Sequence, residues 1–306
     1  MVIPCYNEQD VLPITNKQFE SKIKELIKSK KINETSKVLF VNDGSKDNTW
    51  DIIKELSKKS KYIEGISLSR NRGHQNAVLA GLMEVRDKCD IAISIDCDGQ
   101  DDINAMDEMV EKYLQGYDIV YGVRSSIQTD TFFKRFTAET YYKLLNTLGV
   151  EVVYNHSDYR LTSSRVLNEF SNYTEVNLYL RGMFPLVGFQ SCNVAYERKQ
   201  REAGQSHYPL SKMLSLAIDG ITSLSIKPIR LITCFGIVTS ILSLLYLIVN
   251  VVKHNDLWIS TCLICLLLGI TIMSIGIVGE YVGKAYMETK HRPRYIVGEK
   301  TYKDEK

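Results

Sequence analysis

The sequence predicts an α/β domain with a mostly parallel sheet, joined to a pair of membrane-spanning helices. Three observations predict this fold class. Strand-like and helix-like segments alternate up to residue 124, which is typical of a parallel sheet with helices on both faces. Polar clusters follow four of the predicted strands. Near the C-terminus, two stretches of about 20 residues carry no charged side chain, and each can cross a hydrocarbon core about 30 Å thick as a helix.

The predicted strands and helices take turns along the chain. Apolar runs predict strands at 2–4, 37–45, 62–69, 90–96 and 118–124. Helical periods predict helices at 8–30, 47–59, 74–87 and 104–115, with Asp47 or Asn48 as a cap of the second helix. The first strand has only two or three residues before Pro4. We therefore expect that several residues precede Met1 in the natural protein.

The polar clusters come directly after the predicted strands. They read "PCYNE" at 4–8, "NDGS" at 42–45, "SRNRGHQN" at 69–76 and "DCDGQDD" at 96–102. Ligands of parallel α/β sheets bind beyond the carboxyl ends of the strands, so these clusters predict a site where four loops meet. The sequence contains no G-x-G-x-x-G, and a dinucleotide-binding fingerprint is therefore absent.

Four carboxylates lie close together in the last of these clusters. Asp96, Asp98, Asp101 and Asp102 fall within seven positions, where mutual repulsion raises pKa values unless a cation or hydrogen-bond donors offset it. An Asp-x-Asp pair at a strand end suits Mg²⁺ or Mn²⁺ shared with substrate phosphates. The alternative is a solvated acidic turn that caps the helix from Asn104.

The C-terminal third of the chain predicts a membrane anchor. Residues 231–252 and 258–279 are the two uncharged stretches, and the link between them, "KHNDL", is short and weakly charged. The tail is basic and carries Lys284, Lys290, Arg292, Arg294, Lys300, Lys303 and Lys306. By the positive-inside rule, the tail and the N-terminal domain both face the cytoplasm. The formal net charge of +2 does not indicate a nucleic-acid-binding protein.

These features divide the chain into five parts. The predicted divisions are a catalytic domain at 1–208, a juxtamembrane amphipathic helix at 209–229, spans at 230–252 and 258–280, and a basic tail at 281–306. Apolar residues at helical spacing in 209–227 indicate an interfacial helix. Packing of the same face against the catalytic domain is the alternative.

The motifs, taken in order, resemble those of one enzyme family. "VIPCYNEQDVL", "VNDGSKDNT", "LSRNRGHQNAVLAGL", "IDCDGQDD", "SDYRLTSSRV", "LRGMFPLVGFQ" and "REAGQSHYPLSKM" resemble the family 2 glycosyltransferases that load a sugar onto a polyprenyl phosphate. These include bactoprenol glucosyltransferases and, more distantly, dolichol-phosphate mannose synthases. The resemblance implies a GT-A (Rossmann-like) catalytic domain, a bacterial plasma-membrane location, Mg²⁺ or Mn²⁺ as cofactor and a homo-oligomer, in the family often a tetramer.

The resemblance also implies roles for individual residues. The matching positions for the nucleotide sugar are Pro4, Tyr6, Glu8, Asp43, Arg70, Asp96 and Gln100. Asp98 matches the direct ligand of the metal, with Asp96 beside it. Asp158 matches the carboxylate proposed as a base. Because a polyprenyl phosphate is already anionic near neutral pH, positioning of the sugar is the alternative role for Asp158.

Basic residues match positions that hold the acceptor phosphate. Arg124 and Arg135 are the first pair, and a guanidinium suits a tetrahedral anion; the further candidates are Arg160, Arg201 and His207. The sequence departs from the family in two places here. "IQTDT" lacks a second basic residue that often follows the first arginine, and His207 stands where a lysine is usual.

The expected reaction is an inverting transfer of a hexose from a nucleotide sugar to undecaprenyl phosphate, for glycosylation of the cell envelope. UDP-glucose is the first choice of donor and UDP-N-acetylglucosamine is the alternative. Three other classes of protein stay open. One is a phosphatase of the haloacid-dehalogenase type, because "DCDGQ" resembles the nucleophile loop of that family. The other two are a processive polysaccharide synthase and a non-enzymatic membrane subunit.

Overall fold

The computed structural model describes residues 1–125, 156–198 and 257–303, and separate positions between 222 and 245. The described strands form one eight-stranded sheet in the order β7-β5-β6-β4-β1-β2-β3-β8. Their bounds are β1 (Val2–Cys5), β2 (Val38–Asn42), β3 (Ile63–Leu68), β4 (Ile91–Ser94), β5 (Ile119–Arg124), β6 (His156–Ser163), β7 (Ser191–Tyr196) and β8 (Val297–Lys300).

The sheet is mostly parallel, as the alternation of elements predicts. Strands β3, β2, β1 and β4 are parallel neighbours, and β5 is parallel to β7. Strand β6 runs antiparallel between β4 and β5, and β8 runs antiparallel along β3. The carboxyl ends of β1, β2, β3 and β4 therefore lie at one edge, where the polar clusters were expected.

The helices follow the strands at nearly the predicted places. They are α1 (Leu12–Lys28), α2 (Thr49–Lys59), α3 (His74–Val85), α4 (Ala105–Leu114), α5 (Ser164–Phe170), α6 (Leu180–Leu186) and α7 (Leu257–Thr289). The first helix begins at Leu12 rather than at residue 8, with a proline in its first turn, where proline is well tolerated. Residues 8–11 form a turn instead, in which the Glu8 carbonyl accepts bonds from the Val11 and Leu12 amides.

Two apolar layers cover the faces of the sheet. Because successive strand side chains point to opposite faces, Ile3 packs with Phe19 and Phe40 on one face, whereas Val2 packs with Val41 and Leu79 on the other. All six side chains are at most 2% exposed. Packing on both faces fixes the positions of the strand ends, and the loops that follow the strands begin at those positions.

The chain returns to the sheet after α7. Strand β8 pairs with β3, the Trp50 indole donates to Glu299 at 2.7 Å, and the Gly65 amide donates to the Thr301 hydroxyl at 2.9 Å. Residues 297–300 are thus an edge strand inside the segment predicted only as a basic tail. Sequence periodicity missed it because "VGEK" is short and half polar.

Helix α7 covers 33 residues, including the predicted second span. Apolar side chains along it are exposed, among them Ile264, Leu268, Ile272, Met273, Ile275 and Val278. Within the part of the chain that the structure describes, no helix combines the length and the apolar character needed to cross a membrane. Most of the predicted juxtamembrane helix and most of the predicted first span lie outside the described residues.

Candidate active site

The loops after β1 and β2 are fastened to each other. The Asn7 amide donates to the Ser45 hydroxyl at 3.0 Å, and the Lys46 amide donates to the Asn7 side chain at 2.9 Å. The Glu8 amide donates to the Thr49 hydroxyl at 2.9 Å. Of the predicted nucleotide-binding residues here, Pro4 is buried and Tyr6 is 38% exposed. The edge of the sheet where the loops after β1, β2, β3 and β4 meet is called the rim below.

Asp43 organises the loop that precedes α3. Its two carboxylate oxygens accept from the Arg72 amide at 2.7 Å and the Gly73 amide at 2.9 Å. Burial raises the pKa of Asp43, and these two hydrogen bonds oppose the shift. The next residue, Gly44, has φ +61° and lies so close to Arg70 that a Cβ atom would come within 2.5 Å of the Arg70 carbonyl carbon.

Asp96 and Asp98 lie just beyond β4, as the sequence predicts. Asp98 is 6% exposed, and its Oδ1 accepts from the Gln100 amide at 3.1 Å. The Gln100 side chain accepts from Arg198 at 2.5 Å. Burial raises the pKa of Asp96, the charge of His74 opposes that shift, and Asp158 and Asp98 add to it.

Asp101 belongs to a second network at this rim. The Tyr196 hydroxyl donates to Asp101 Oδ1 at 2.6 Å and lies 2.7 Å from the Ser157 hydroxyl. Arg124 donates from Nε to the Tyr196 hydroxyl at 3.4 Å. Burial and the charge of Asp96 raise the pKa of Asp101 to about 6. Arg124, predicted to hold an acceptor phosphate, therefore lies beside the carboxylate rim.

His74 connects Asp96 with Asp158. Its Nε2 lies 3.5 Å from Asp96 Oδ1 and 3.4 Å from Asp158 Oδ2. Burial alone would lower the pKa of His74, but the charges of the two carboxylates and the hydrogen bond to Asp158 raise it to about 9. At neutral pH the imidazole is therefore protonated on both nitrogens, and its positive charge offsets part of the negative charge of Asp96 and Asp158.

Arg181 holds Asp158 at two points. Its Nε donates to Asp158 Oδ1 at 3.2 Å, and its Nη2 donates to Oδ2 at 3.1 Å. Burial opposes ionisation, but Arg181 and His74 together hold the pKa of Asp158 well below its ordinary value. Asp158 is thus an anion at every pH at which enzymes usually work.

The other predicted arginines are placed differently. Arg160 is 2% exposed, and its guanidinium lies 3.9 Å from the centre of the Phe184 ring, so it supports the core beneath the rim instead of facing solvent. Burial lowers the pKa of Arg160 to about 10. Arg70 is exposed. Arg135, Arg201 and His207 lie outside the described residues.

The rim offers carboxylate oxygens, which are ligands that a hard divalent cation prefers. Asp96 Oδ1 and Asp101 Oδ2 are buried and have no hydrogen-bond partner within the described part of the chain. Among those same residues, no group of three histidine, cysteine or acidic side chains converges on one point. Mg²⁺ commonly takes one or two carboxylates and completes its shell with substrate phosphates and water, so these residues fit an ion shared with a diphosphate.

Sequence reasoning missed four residues of this site. His74, Arg181, Tyr196 and Arg198 each contact a predicted carboxylate or Gln100 from a distant part of the chain. His74 and Arg181 stood inside motifs that the family resemblance singled out, "SRNRGHQN" and "LRGMFPL". The signal in the sequence was their position in those motifs, since pairing with a carboxylate is visible only in the fold.

Comparison with known proteins gives the family that the motifs resemble. Residues 1–171 match glycosyl transferase family 2, and residues 227–285 match the GtrB C-terminal hairpin. The uncharacterized glycosyltransferase YkoT of Bacillus subtilis is 46% identical, covering 100% of this chain and 92% of that protein. The bactoprenol glucosyl transferase of Shigella phage SfX is 36% identical, covering 97% of each.

A prophage bactoprenol glucosyl transferase homolog of Escherichia coli is 35% identical, again covering 97% of each chain. These matches extend past the catalytic domain into the C-terminal segment, as the order of motifs predicted. The family 2 match covers more than half of the chain and includes Asp96 and Asp98. The protein is a glycosyltransferase and belongs to glycosyl transferase family 2.

Proposed function

We propose that this enzyme transfers glucose from UDP-glucose to undecaprenyl phosphate, with inversion at the anomeric carbon. The observation that carries the proposal is the carboxylate rim itself, with Asp96 and Asp98 at the end of β4 and Arg124 beside them. The similarity to bactoprenol glucosyl transferases over 97% of the chain supports the same choice of acceptor.

The residues at the rim suit the departure of a diphosphate. A divalent ion bound there would neutralise the charge that develops on the leaving group. Asp98 and Asp96 would hold that ion, and Asp101, whose Oδ2 is buried without a partner among the described residues, is close enough to take part in the same network. Tyr6 and the loops fastened around Asn7 and Asp43 would form the pocket for the base and ribose.

The acceptor phosphate needs a positively charged side chain to bind it and does not need a base to remove a proton. Near neutral pH the phosphate of the acceptor is already ionised, so an oxygen can attack the sugar without loss of a proton. Burial opposes the charge of Arg124, but the neighbouring Tyr196 and Asp101 raise the pKa of Arg124. Its guanidinium would therefore hold the acceptor phosphate in line with the anomeric carbon.

We also propose that the two uncharged stretches anchor the enzyme in the bacterial plasma membrane, with the catalytic domain in the cytoplasm. The match of residues 227–285 to the GtrB C-terminal hairpin supports this arrangement. The pairing of β8 with β3 supports it further, because the chain before and after a hairpin returns to the same side. A homo-oligomer, a tetramer by family resemblance, belongs to the same proposal.

Transfer of label from donor to lipid tests the proposal. Membranes that contain the protein would receive undecaprenyl phosphate, Mg²⁺ and labelled UDP-glucose or UDP-N-acetylglucosamine. We expect label from UDP-glucose in the organic phase, abolished by EDTA. Label from UDP-N-acetylglucosamine alone would reassign the donor, and no label from either donor would overturn the proposed reaction for both.

A further inference from the structure

The ion pair between Arg181 and Asp158, which is made by two hydrogen bonds, has no role in the reaction as described so far. The two hydrogen bonds are 3.2 and 3.1 Å long and use both oxygens of the carboxylate. The Asp158 side chain is 15% exposed and that of Arg181 is 30% exposed. The pair therefore lies at the surface of the site, where a substrate can reach it.

Arg181 stands on an element that is fixed from two sides. The side chain of Gln75, next to His74, accepts from the Leu180 amide at 2.8 Å. On the other side, the Phe184 ring stacks on Phe170 with ring centres 4.4 Å apart. Helix α6 is thereby held against α3 and the core, and Arg181 approaches Asp158 in one orientation.

This geometry does not suit Asp158 as a base. A base must offer an unshared electron pair to the proton that it removes and must gain by binding it. Both Asp158 oxygens already accept from a permanent cation, and that cation would lose its partner if Asp158 took up a proton. Oδ2 is also in contact with His74, whereas Oδ1 accepts only from Arg181 among the described residues. Oδ1 therefore keeps a second lone pair, with which the ionised carboxylate can accept a hydrogen bond from a sugar hydroxyl.

We propose that Arg181 is a positioning residue, and that its two-point pair with Asp158 orients that carboxylate to bind the sugar hydroxyls of the donor. This inference rests on the proposed function. In the reaction, an anionic phosphate oxygen forms a bond to the anomeric carbon, the bond from that carbon to the diphosphate oxygen breaks, and the electron pair leaves with the diphosphate. No proton has to move to Asp158.

Binding measurements separate the sugar from the nucleotide. With the purified full chain and Mg²⁺, titration calorimetry would give Kd for UDP and for UDP-glucose. We expect Arg181→Gln and Asp158→Asn each to weaken UDP-glucose binding about tenfold and to leave UDP binding within about twofold. Arg181→Lys keeps the charge but loses the planar fork, so it is expected to weaken UDP-glucose binding as well; it also replaces Arg181→Gln if that variant fails to fold.

The double variant tests whether the two residues act as one unit. Once Asp158 is neutral, removal of Arg181 should cost little, so Asp158→Asn/Arg181→Gln should bind UDP-glucose within about threefold of the weaker single variant. The same variants should lower kcat for transfer and leave KM for the lipid acceptor unchanged. Arg86→Gln is the matched control, because Arg86 is a half-buried arginine that pairs with its neighbour Asp87 instead of with a carboxylate of the rim.

The outcomes distinguish two kinds of failure. If the wild-type protein binds neither UDP nor UDP-glucose, the proposed donor is wrong and this inference is wrong with it. If both bind and the Arg181 variants weaken UDP and UDP-glucose equally, or raise KM for the acceptor alone, only the inference is overturned. Multiplying effects in the double variant would also contradict it, because they would show independent roles.

Discussion

The carboxylates at the rim are chemically unlike one another, and their neighbours cause the difference. Asp158 has Arg181 and His74 as partners, and its pKa is held well below the ordinary value. Asp101 has only neutral or more distant partners among the described residues, and burial raises its pKa to about 6. Asp158 therefore stays ionised more readily than an ordinary carboxyl group, whereas Asp101 keeps its proton up to a pH of about 6.

The raised pKa of Asp101 predicts how stability changes with pH. Between its ordinary pKa of 3.8 and the folded value of about 6, the folded state binds more protons than the unfolded state, so the free energy of unfolding falls as pH rises. Asp101→Asn removes this decrease in the free energy of unfolding, because the amide does not ionise. We expect the variant without metal to be more stable than the wild type at pH 8, by about 1 to 3 kcal/mol, and equal to it below about pH 4.

Thermal unfolding across this pH range, in detergent with EDTA, checks the prediction. Asp87→Asn is the control, since Asp87 is exposed and pairs with Arg86 on the surface. A variant at Asp101 that unfolds earlier than the wild type at pH 8 would show that the carboxylate is not destabilising there. Such a result would mean that the bond from Tyr196 is worth more than the cost of burying the charge.

Elements whose signals are local could be predicted from the sequence, and elements that depend on remote partners could not. Strands β1 to β5 and helices α1 to α4 were predicted because apolar runs and helical periods are visible in windows of a few residues. The antiparallel insertion of β6 between β4 and β5 was not predicted. Its pairing with β4 depends on residues that are far apart in the sequence, as with Ile93 and Leu161.

The site divides in the same way. Asp96 and Asp98 could be found from their place after a buried strand, and the rim formed by the four loops follows from strand topology. The cationic side chains that offset the charge of the carboxylates could not be found in this way. His74 and Arg181 contact Asp158 across 84 and 23 residues of sequence. The family resemblance also proposed Arg160 as a ligand of the acceptor phosphate. Its packing against the Phe184 ring, which places it in the core, is visible only in the structure.

The Glu288 side chain, near the C-terminal end of α7, joins this helix to the catalytic domain. The Glu288 carboxylate accepts from the Val176 amide at 2.9 Å, the Asn177 amide at 3.0 Å and the Asn177 side chain at 2.7 Å. Glu288→Gln would place an amide group, which donates hydrogen bonds, among these donors. We expect the variant to lose about 1 to 3 kcal/mol of stability and to expose the loop at 172–177 to protease.

Thermal unfolding and limited proteolysis of the purified protein measure this effect. Glu280→Gln is the matched control, because Glu280 lies on the same helix, is 45% exposed and lies 3.9 Å from Lys284. If the two variants behave alike, the contacts of Glu288 do not hold α7 to the catalytic domain.

In the whole molecule, β8 joins the end of the chain to the far edge of the sheet. Glu84 on α3 accepts from Lys300 at 2.8 Å and from the Tyr302 hydroxyl at 2.9 Å. Burial disfavours its charge, but these donors and Lys88 lower the pKa of Glu84 overall. The C-terminal segment is therefore attached to the helix whose first residue, His74, contributes to the site.

Loss of Glu84 should loosen that attachment without touching the rim. We expect Glu84→Gln to speed amide hydrogen exchange in β8 and β3, because the charge-assisted bonds to Lys300 and Tyr302 weaken. Exchange in β1 and β4 should stay as in the wild type. Equal acceleration in all four strands would show instead that the sheet opens as one unit.

The central claim is that the carboxylates at the rim carry the transfer of sugar to a lipid phosphate. The most direct test compares the initial rate of label transfer from UDP-glucose to undecaprenyl phosphate in wild type, Asp98→Asn and Asp51→Asn, with Mg²⁺ present. Asp51 is an exposed carboxylate paired with Lys54, and its variant should transfer at the wild-type rate. We predict that Asp98→Asn lowers the rate at least about 100-fold. Transfer by Asp98→Asn within a few-fold of the wild type would contradict the claim.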